Sequence, residues 1–372
     1  MMRSITFFST SRPDFALISS LLNLSNITDI LRINLVIFQD VGDHSSIQNV
    51  NKIIINSSIQ VDLVNKKKLE IEISDSLITL KNEDPNTIIF IIGDRWEALY
   101  VAYKCLLLKI PVIHHSGGDI TNGAIDNQIR DAITALSDFH LTSHPLHTQR
   151  VIKLGEHPSK VLTVGEPTLN RLLENFIKSK KNQLDYKKKD KFVLCTFHSS
   201  TLDKLTYQEQ AINIVNMLNL IPYKIVITYP NMDEGSEIIH EALEKFSRNH
   251  ADKVSYFPNL GEKYHELMMN CYFVFGNSSS GILEAGMAGK LSINVGDRQN
   301  GRLSSKSVIN IRYSTEQLRK VISNIETTLK SLHKNDYISP YFQEDCVDLI
   351  KNFISQICQN DVVEKIKFKD FD

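Results

Sequence analysis

The sequence has no long apolar run, no cysteine pairing pattern and no excess of either charge. Its 372 residues carry 42 Lys and Arg against 43 Asp and Glu, a formal net charge of −1. Without a basic field, nothing draws the chain as a whole to nucleic acid or to an anionic membrane. The five cysteines, Cys105, Cys195, Cys271, Cys346 and Cys358, are odd in number and form no C-x-x-C pair. That argues against a disulfide frame or a zinc site and for buried thiols in a reducing compartment. The N-terminus turns apolar at Ile5 but meets Ser9, Arg12, Pro13 and Asp14 almost at once. Such a stretch is too short for a signal peptide, and no later run reaches the length of about 20 residues that spans a bilayer. These absences predict a cytoplasmic protein. There is also no short repeat and no low-complexity tract.

What is present is an alternation. With 42% hydrophobic residues the chain can fill more than one core, and its length suits two domains. Strands are predicted at residues 4–8, 32–38, 87–92, 112–115, 139–142 and 160–164, and helices at 95–109, 126–137 and 168–181. The run Ile88-Ile89-Phe90-Ile91-Ile92 is apolar throughout, the mark of a strand covered on both faces, as in parallel sheets. Residues 182–191 are polar and lysine-rich and read as a linker. The alternation then restarts, with strands at 192–197, 224–228, 254–257, 272–275 and 291–295 and helices at 207–220, 234–248 and 280–288. Beyond Ser314 the pattern is helical. The spacing predicts an α/β protein of two Rossmann-like doubly wound parallel-sheet domains, 1–181 and 192–340, facing a cleft. A helical tail, 341–372, is expected to pack back on the first domain.

Ligands of such folds lie beyond the carboxyl ends of strands, and the second half carries polar residues at those points. Gly276-Asn277-Ser278-Ser279-Ser280-Gly281 leads from a strand into a helix with Glu284 beyond it. Small hydroxyl residues and free backbone N–H groups at such a junction suit a diphosphate, although Ser280 alone reads as a helix cap. One strand later, Gly296-Asp297-Arg298-Gln299-Asn300-Gly301-Arg302 offers Arg298 and Arg302 as a bidentate clamp. Asn231 and Asp233 follow a third strand end and suit a sugar or ribose. His198, with Thr201 close behind, follows a fourth. A lone histidine is as readily structural as functional. This half reads as the nucleotide-binding half.

The first half carries carboxylates instead. Asp94 and Glu97 follow the strand at 87–92, and Asp94 also suits the cap of the helix there. Asp119 stands in the glycine-rich turn Ser116-Gly117-Gly118-Asp119. Asp126 opens the next helix, with Arg130 one turn on, and Arg12 and Asp14 follow the first strand. Acidic groups on consecutive strand ends are what acid–base chemistry requires.

Together these motifs resemble the hydrolysing UDP-N-acetylglucosamine 2-epimerases of sialic-acid-type nonulosonic acid pathways. The likeness is strongest in 93–134 and 229–302: Gly93-Asp94-Arg95, Gly117-Gly118-Asp119, Asp126 with Arg130, the serine-rich loop, and Gly296 to Arg302. The resemblance implies a glycosyltransferase-B arrangement, nucleotide held by the C-terminal domain, and hydrolysis of a UDP- or GDP-linked 2-acetamido sugar with inversion at C2. A UDP- or GDP-linked diacetamido trideoxy sugar competes with UDP-N-acetylglucosamine as substrate. It implies acid–base roles for Glu97, Asp119 and Asp126, with the division of labour among them open. Arg12, His198, Ser278, Ser279, Arg298 and Arg302 would hold the diphosphate, and Asn231 and Asp233 the substrate. No metal or other cofactor is implied, and relatives commonly form dimers or tetramers. The chain departs from the family in having Asp119 in place of a Glu, and Asp131 and Ala135 in place of a His and a Lys. The other readings that fit are a glycosyltransferase of the same fold and a catalytically impaired nucleotide-sugar-binding relative.

Overall fold

The computed structural model describes residues 4–10, 12–25, 32–38, 51–55, 63–181, 191–231, 233–258, 260 and 263–359. The linker predicted at 182–191 lies outside them except for Lys191. The chain divides into two compact units. One comprises Met1–Asp119, Asp126–Arg171 and Tyr341–Asp372, the other Ile120–Ile125 and Leu172–Pro340.

The first unit is built from β1 (Ile5–Ser9), α1 (Arg12–Ser25), β2 (Ile33–Phe38), β3 (Asn51–Ile55), α2 (Leu63–Glu83), β4 (Ile88–Ile92), α3 (Trp96–Leu108), β5 (Val112–His115), α4 (Asp126–Leu136), β6 (Phe139–Thr142), α5 (Pro145–Lys153) and β7 (Val161–Thr163). The helix α6 (Pro167–Lys181) leads out of it. Its sheet has seven strands in the order β3-β2-β1-β4-β5-β6-β7, every pairing parallel. Neither β3 nor α1 nor α2 is among the predicted elements.

Strand side chains alternate between two cores. Ile5, Phe7, Ile88 and Phe90 pack with Leu17, Ile18 and Leu21 of α1, while Phe8, Ile89 and Ile91 pack with Leu69, Ile73 and Leu77 of α2 and with Val101 of α3. Burial on both faces is why the β4 run contains no polar residue. The first of these cores is completed from the far end of the sequence: α13 (Cys346–Gln359) contributes Cys346, Ile350 and Ile354 to it.

The second unit repeats the plan with β8 (Phe192–Thr196), α7 (Tyr207–Leu218), β9 (Lys224–Thr228), α8 (Ser236–Asn249), β10 (Val254–Phe257), α9 (Lys263–Asn270), β11 (Phe273–Gly276), α10 (Ser279–Leu283), β12 (Leu291–Val295) and β13 (Val308–Ile311), then α11 (Thr315–Ser323) and α12 (Ile325–Ser331). Six parallel strands run β10-β9-β8-β11-β12-β13. The helix predicted over 280–288 is a correction: α10 has five residues and gives way to turns. Gly281 and Gly286 fall within the predicted span, and each costs a helix about 1 kcal/mol relative to alanine, which shortens it. All five cysteines are buried free thiols. Among the described residues no helix is long and apolar enough to cross a membrane.

Candidate active site

Each sheet changes direction of winding once, between β1 and β4 and between β8 and β11. That switch point is where doubly wound sheets receive ligands, and the residues singled out from the sequence fall around it in both units.

In the first unit, Asp94 leaves β4 and pairs with Arg130 of α4. Its predicted role as a helix cap is not realised: the residue at the cap of α3 is Arg95, with no side-chain cap bond. Arg130 is only 1% exposed. Besides Asp94 it donates to the Asp119 carbonyl at 2.8 Å and to Asn127 Oδ1 at 3.0 Å, so its guanidinium ties two strand ends to one helix. Glu97 follows another course. Its side chain has no exposure and meets Arg95 bidentately, Nε to Oε2 at 3.1 Å and Nη2 to Oε1 at 2.9 Å.

Asp119 is positioned from two directions. Gly118 has φ +75°, and a Cβ there would lie 2.4 Å from the His147 carbonyl. Only glycine allows the turn to lie this close to α5, and the turn sets the direction of Asp119. The carboxylate is nearly buried. Its Oδ1 accepts the Tyr341 hydroxyl at 3.3 Å and lies 3.4 Å from His147 Nε2; His147 Nδ1 is 3.2 Å from Ser143 Oγ. Asp126 is half-buried at the first residue of α4. Asp14 is buried and accepts the Thr10 N–H at 3.1 Å and hydroxyl at 2.6 Å, closing the turn into α1. The Arg12 side chain lies outside the described residues.

Neither His147 nor Tyr341 is legible as a site residue in the sequence, and the same holds for His114. His114 Nε2 lies 2.8 Å from the Gly93 carbonyl, so it carries the proton, and Nδ1 accepts from Thr134 Oγ1 at 3.1 Å. Burial lowers its pKa to about 3 and that of neighbouring His115 to about 4. Desolvation likewise lowers His147 to about 4, against the pull of Asp119. Neutral in the folded chain, His114 and His115 take up protons near pH 6.5 once unfolded. Their contribution to stability is therefore complete above pH 6.5 and declines as the pH falls toward 4. Together they are expected to remove about 3 kcal/mol of unfolding free energy between pH 7.5 and 5.5. Urea midpoints at the two pH values measure this, and an equal shift between them in wild type and in a His114→Gln, His115→Gln variant would remove the histidines as the cause.

In the second unit, His198 follows β8 and is buried. Its Nδ1 accepts the Asn231 N–H at 2.9 Å, leaving Nε2 as the proton-bearing nitrogen of a neutral ring. Desolvation, with Arg298 adding to it, holds its pKa well below the usual value. Ser278 precedes α10. Ser280 Oγ lies 3.1 Å from Ser278 Oγ and 2.5 Å from the hydroxyl of Tyr264 on α9, so Ser280 braces the loop from within, while Ser278 and Ser279 stay half-exposed. Glu284 meets His265 Nε2 at 3.2 Å.

Arg298 reaches Asp233 at 3.3 Å, which joins the loops after β9 and β12. Arg302 instead lines a cavity of about 310 Å³ with Asn294, Gln299 and Asn310. The Asn231 side chain is exposed and Thr201 half-buried. Segment Ile120–Ile125 is bonded into this unit: Asn122 N–H donates to the Asn300 carbonyl at 2.9 Å and Leu202 N–H to the Gly123 carbonyl at 3.2 Å. A Cβ on Gly123 would lie 2.5 Å from Arg298 Cα, so this crossing also requires glycine.

A family model described as UDP-N-acetylglucosamine 2-epimerase matches residues 59–355. The chain is 35% identical over 241 residues to a GDP/UDP-N,N'-diacetylbacillosamine 2-epimerase (hydrolyzing) of Campylobacter jejuni, covering 63% of this chain and 62% of that protein. It is 25% identical over 366 residues to a UDP-N,N'-diacetylbacillosamine 2-epimerase (hydrolyzing) of Legionella pneumophila, covering 94% and 96%. The crystal structure of UDP-GlcNAc 2-epimerase from Neisseria meningitidis bound to UDP-GlcNAc shares the fold. Its TM-score is 0.77 at 14% identity, over 95% of this chain and 100% of that one.

Proposed function

The chain belongs to the UDP-N-acetylglucosamine 2-epimerase family, and from that premise we propose that it hydrolyses a UDP- or GDP-linked 2-acetamido sugar and inverts the sugar at C2. The observation that carries the reading is a pair of acidic residues at successive strand ends held by one buried guanidinium, Arg130, which binds the Asp94 carboxylate and the Asp119 backbone carbonyl, with Asp126 at the start of the same helix. The two relatives with diacetylbacillosamine in their names support a diacetamido trideoxy sugar as the substrate.

The chemistry follows from what each unit offers. The C1–O bond to the diphosphate breaks, and the positive charge left on the ring acidifies C2–H. A carboxylate removes that proton, giving a 2-acetamidoglycal. Water then adds at C1 and a proton returns to C2 from the other face, so one water is consumed and a nucleoside diphosphate and free sugar leave. Arg298 offsets the charge of the departing diphosphate, and His198 with its Nε2 hydrogen, Ser278 and Ser279 donate hydrogen bonds to it. Glu284 and Asp233 accept hydroxyl hydrogens from ribose or sugar. Asp119 and Asp126 move the C2 proton. The sequence reading gives Glu97 a share in this work; with no exposure and both oxygens on Arg95, it is assigned here to fixing Arg95.

Turnover of a panel of UDP- and GDP-linked 2-acetamido sugars in deuterated water tests the proposal. One deuterium at C2 of each released sugar is expected. Nucleotide release without label would assign the chain to simple hydrolysis or glycosyl transfer.

The same reading places the reaction in the cytoplasm, where five buried thiols stay reduced, and cell fractionation checks this. It also gives a homodimer or homotetramer. On α3, Tyr103, Leu106 and Leu107 lie at helical spacing and are 46%, 39% and 58% exposed, and on adjoining α2, Ile71 and Ile78 are 53% and 45% exposed. An apolar face of this kind suits a second copy of the chain. Light scattering should return a multiple of 42.4 kDa, and a Leu107→Glu variant should return the monomer; a monomeric wild type would end the idea.

A further inference from the structure

One residue in the second unit bonds its own strand-end loop to two others. Asn277 follows β11 and has no exposure. Its side-chain amide pairs with the backbone of His198 in both senses: Oδ1 accepts the His198 N–H at 2.7 Å and Nδ2 donates to the His198 carbonyl at 2.8 Å. Its own N–H donates to the Thr196 carbonyl at 3.1 Å, and its own carbonyl accepts Gln299 Nε2 at 2.8 Å. The amide thus continues the β8–β11 pairing for one more step beyond the last register pair, Thr196 with Gly276. The loop after β8 carries His198, the loop after β11 carries Ser278 and Ser279, and the loop after β12 carries Arg298 and Arg302.

We propose that Asn277 is a positioning residue for the leaving diphosphate, holding these three loops in one arrangement and presenting His198 with its Nε2 hydrogen outward. The inference rests on the reading of this unit as the nucleoside diphosphate site. Asn277 touches no ligand in this role; it acts through His198. With the His198 backbone fixed on both sides, the ring has one way to meet the Asn231 N–H with Nδ1, and that bond fixes the tautomer. A carboxylate at 277 would retain the bond from the His198 N–H but turn its second oxygen against the His198 carbonyl, in a fully buried position. Protonation of that carboxylate would restore a donor there. Arg298, on the loop after β12, is the charged group that acts on His198.

The test uses full-length protein labelled with 15N histidine, titrated with UDP and with GDP. Wild type is expected to show His198 as the Nε2–H tautomer. Asn277→Ala and Asn277→Asp should show a mixture of tautomers and bind the accepted nucleotide about 10²-fold more weakly, the scale of loss for a misplaced positioning contact. The deficit of Asn277→Asp relative to wild type should shrink from pH 8 to pH 5.5, which a merely structural substitution would not produce. Wild-type tautomer and affinity in both variants would overturn the proposal. Should wild type bind neither UDP nor GDP, the diphosphate reading falls, and the tautomer in the variants still decides the role of Asn277. Should neither variant fold, the wild-type spectrum decides: an Nδ1–H tautomer overturns the proposal.

Discussion

Replacing Asp119 by Asn is expected to slow exchange of the C2 hydrogen by about 10²- to 10⁴-fold, the range for losing a positioned acid–base group. The substitution is nearly isosteric, so the hydroxyl of Tyr341 keeps its acceptor at position 119 and the Gly118 turn keeps its place against α5. What disappears is the capacity to take a proton. Nucleoside diphosphate affinity should stay close to wild type, because the residues proposed to grip the diphosphate belong to the other unit. The measurement is deuterium incorporation at C2 in single turnover, alongside calorimetric titration with UDP or GDP. Exchange at the wild-type rate would transfer the proton step to Asp126 or Glu97. Asp119→Glu, which supplies the side chain usual in the family, should retain part of the rate. Loss of the Tyr341 bond in a Tyr341→Phe variant should lower turnover without weakening nucleotide binding.

Replacing Arg130 by Met is expected to cost about 3–5 kcal/mol of unfolding free energy, the range for removing one partner of a buried ion pair. Methionine fills comparable volume, so cavity formation contributes little. The cost comes from the bonds that are lost: those of Arg130 to the Asp94 carboxylate, to the Asp119 carbonyl and to Asn127 Oδ1. Arg130→Lys restores the charge but not the fork, since one ammonium cannot reach three acceptors from a single stem, and should recover less than half of the loss. Denaturant unfolding of the three proteins settles the matter. A change under about 1 kcal/mol for Arg130→Met, the level of an exposed pair, would show that the guanidinium does not tie the strand ends together.

Much of this layout is written into local sequence. The apolar run of β4 can only be a strand buried on both faces, and the glycine, serine and carboxylate residues that follow β4, β5, β8 and β11 mark ligand ends because parallel sheets leave few other places for them. The partners of Asp119 are not written locally. Tyr341 is 222 positions away, and nothing in the residues around it distinguishes its hydroxyl from any other. His147 sits in α5, which starts at Pro145 after the cap His144 and is not among the predicted elements. β13 escapes because it is a short edge strand, and α10 reads too long because helical spacing does not register the cost of two glycines. The departure of Ile120–Ile125 from the unit that surrounds it in sequence is a tertiary fact that no local pattern records.

The contribution of α13 to the core around β1 and β4 bears on the order in which the molecule can be completed. As the chain is synthesised, all seven strands of the first sheet emerge before the helix that covers Ile5, Phe7 and Phe90 beside α1. The second unit, contained almost wholly between residues 172 and 340, has every element it needs while the first still shows water a bare apolar flank. The half that starts earliest therefore closes last, and until the final helix docks, that flank is open to chaperones, to proteases and to other nascent chains.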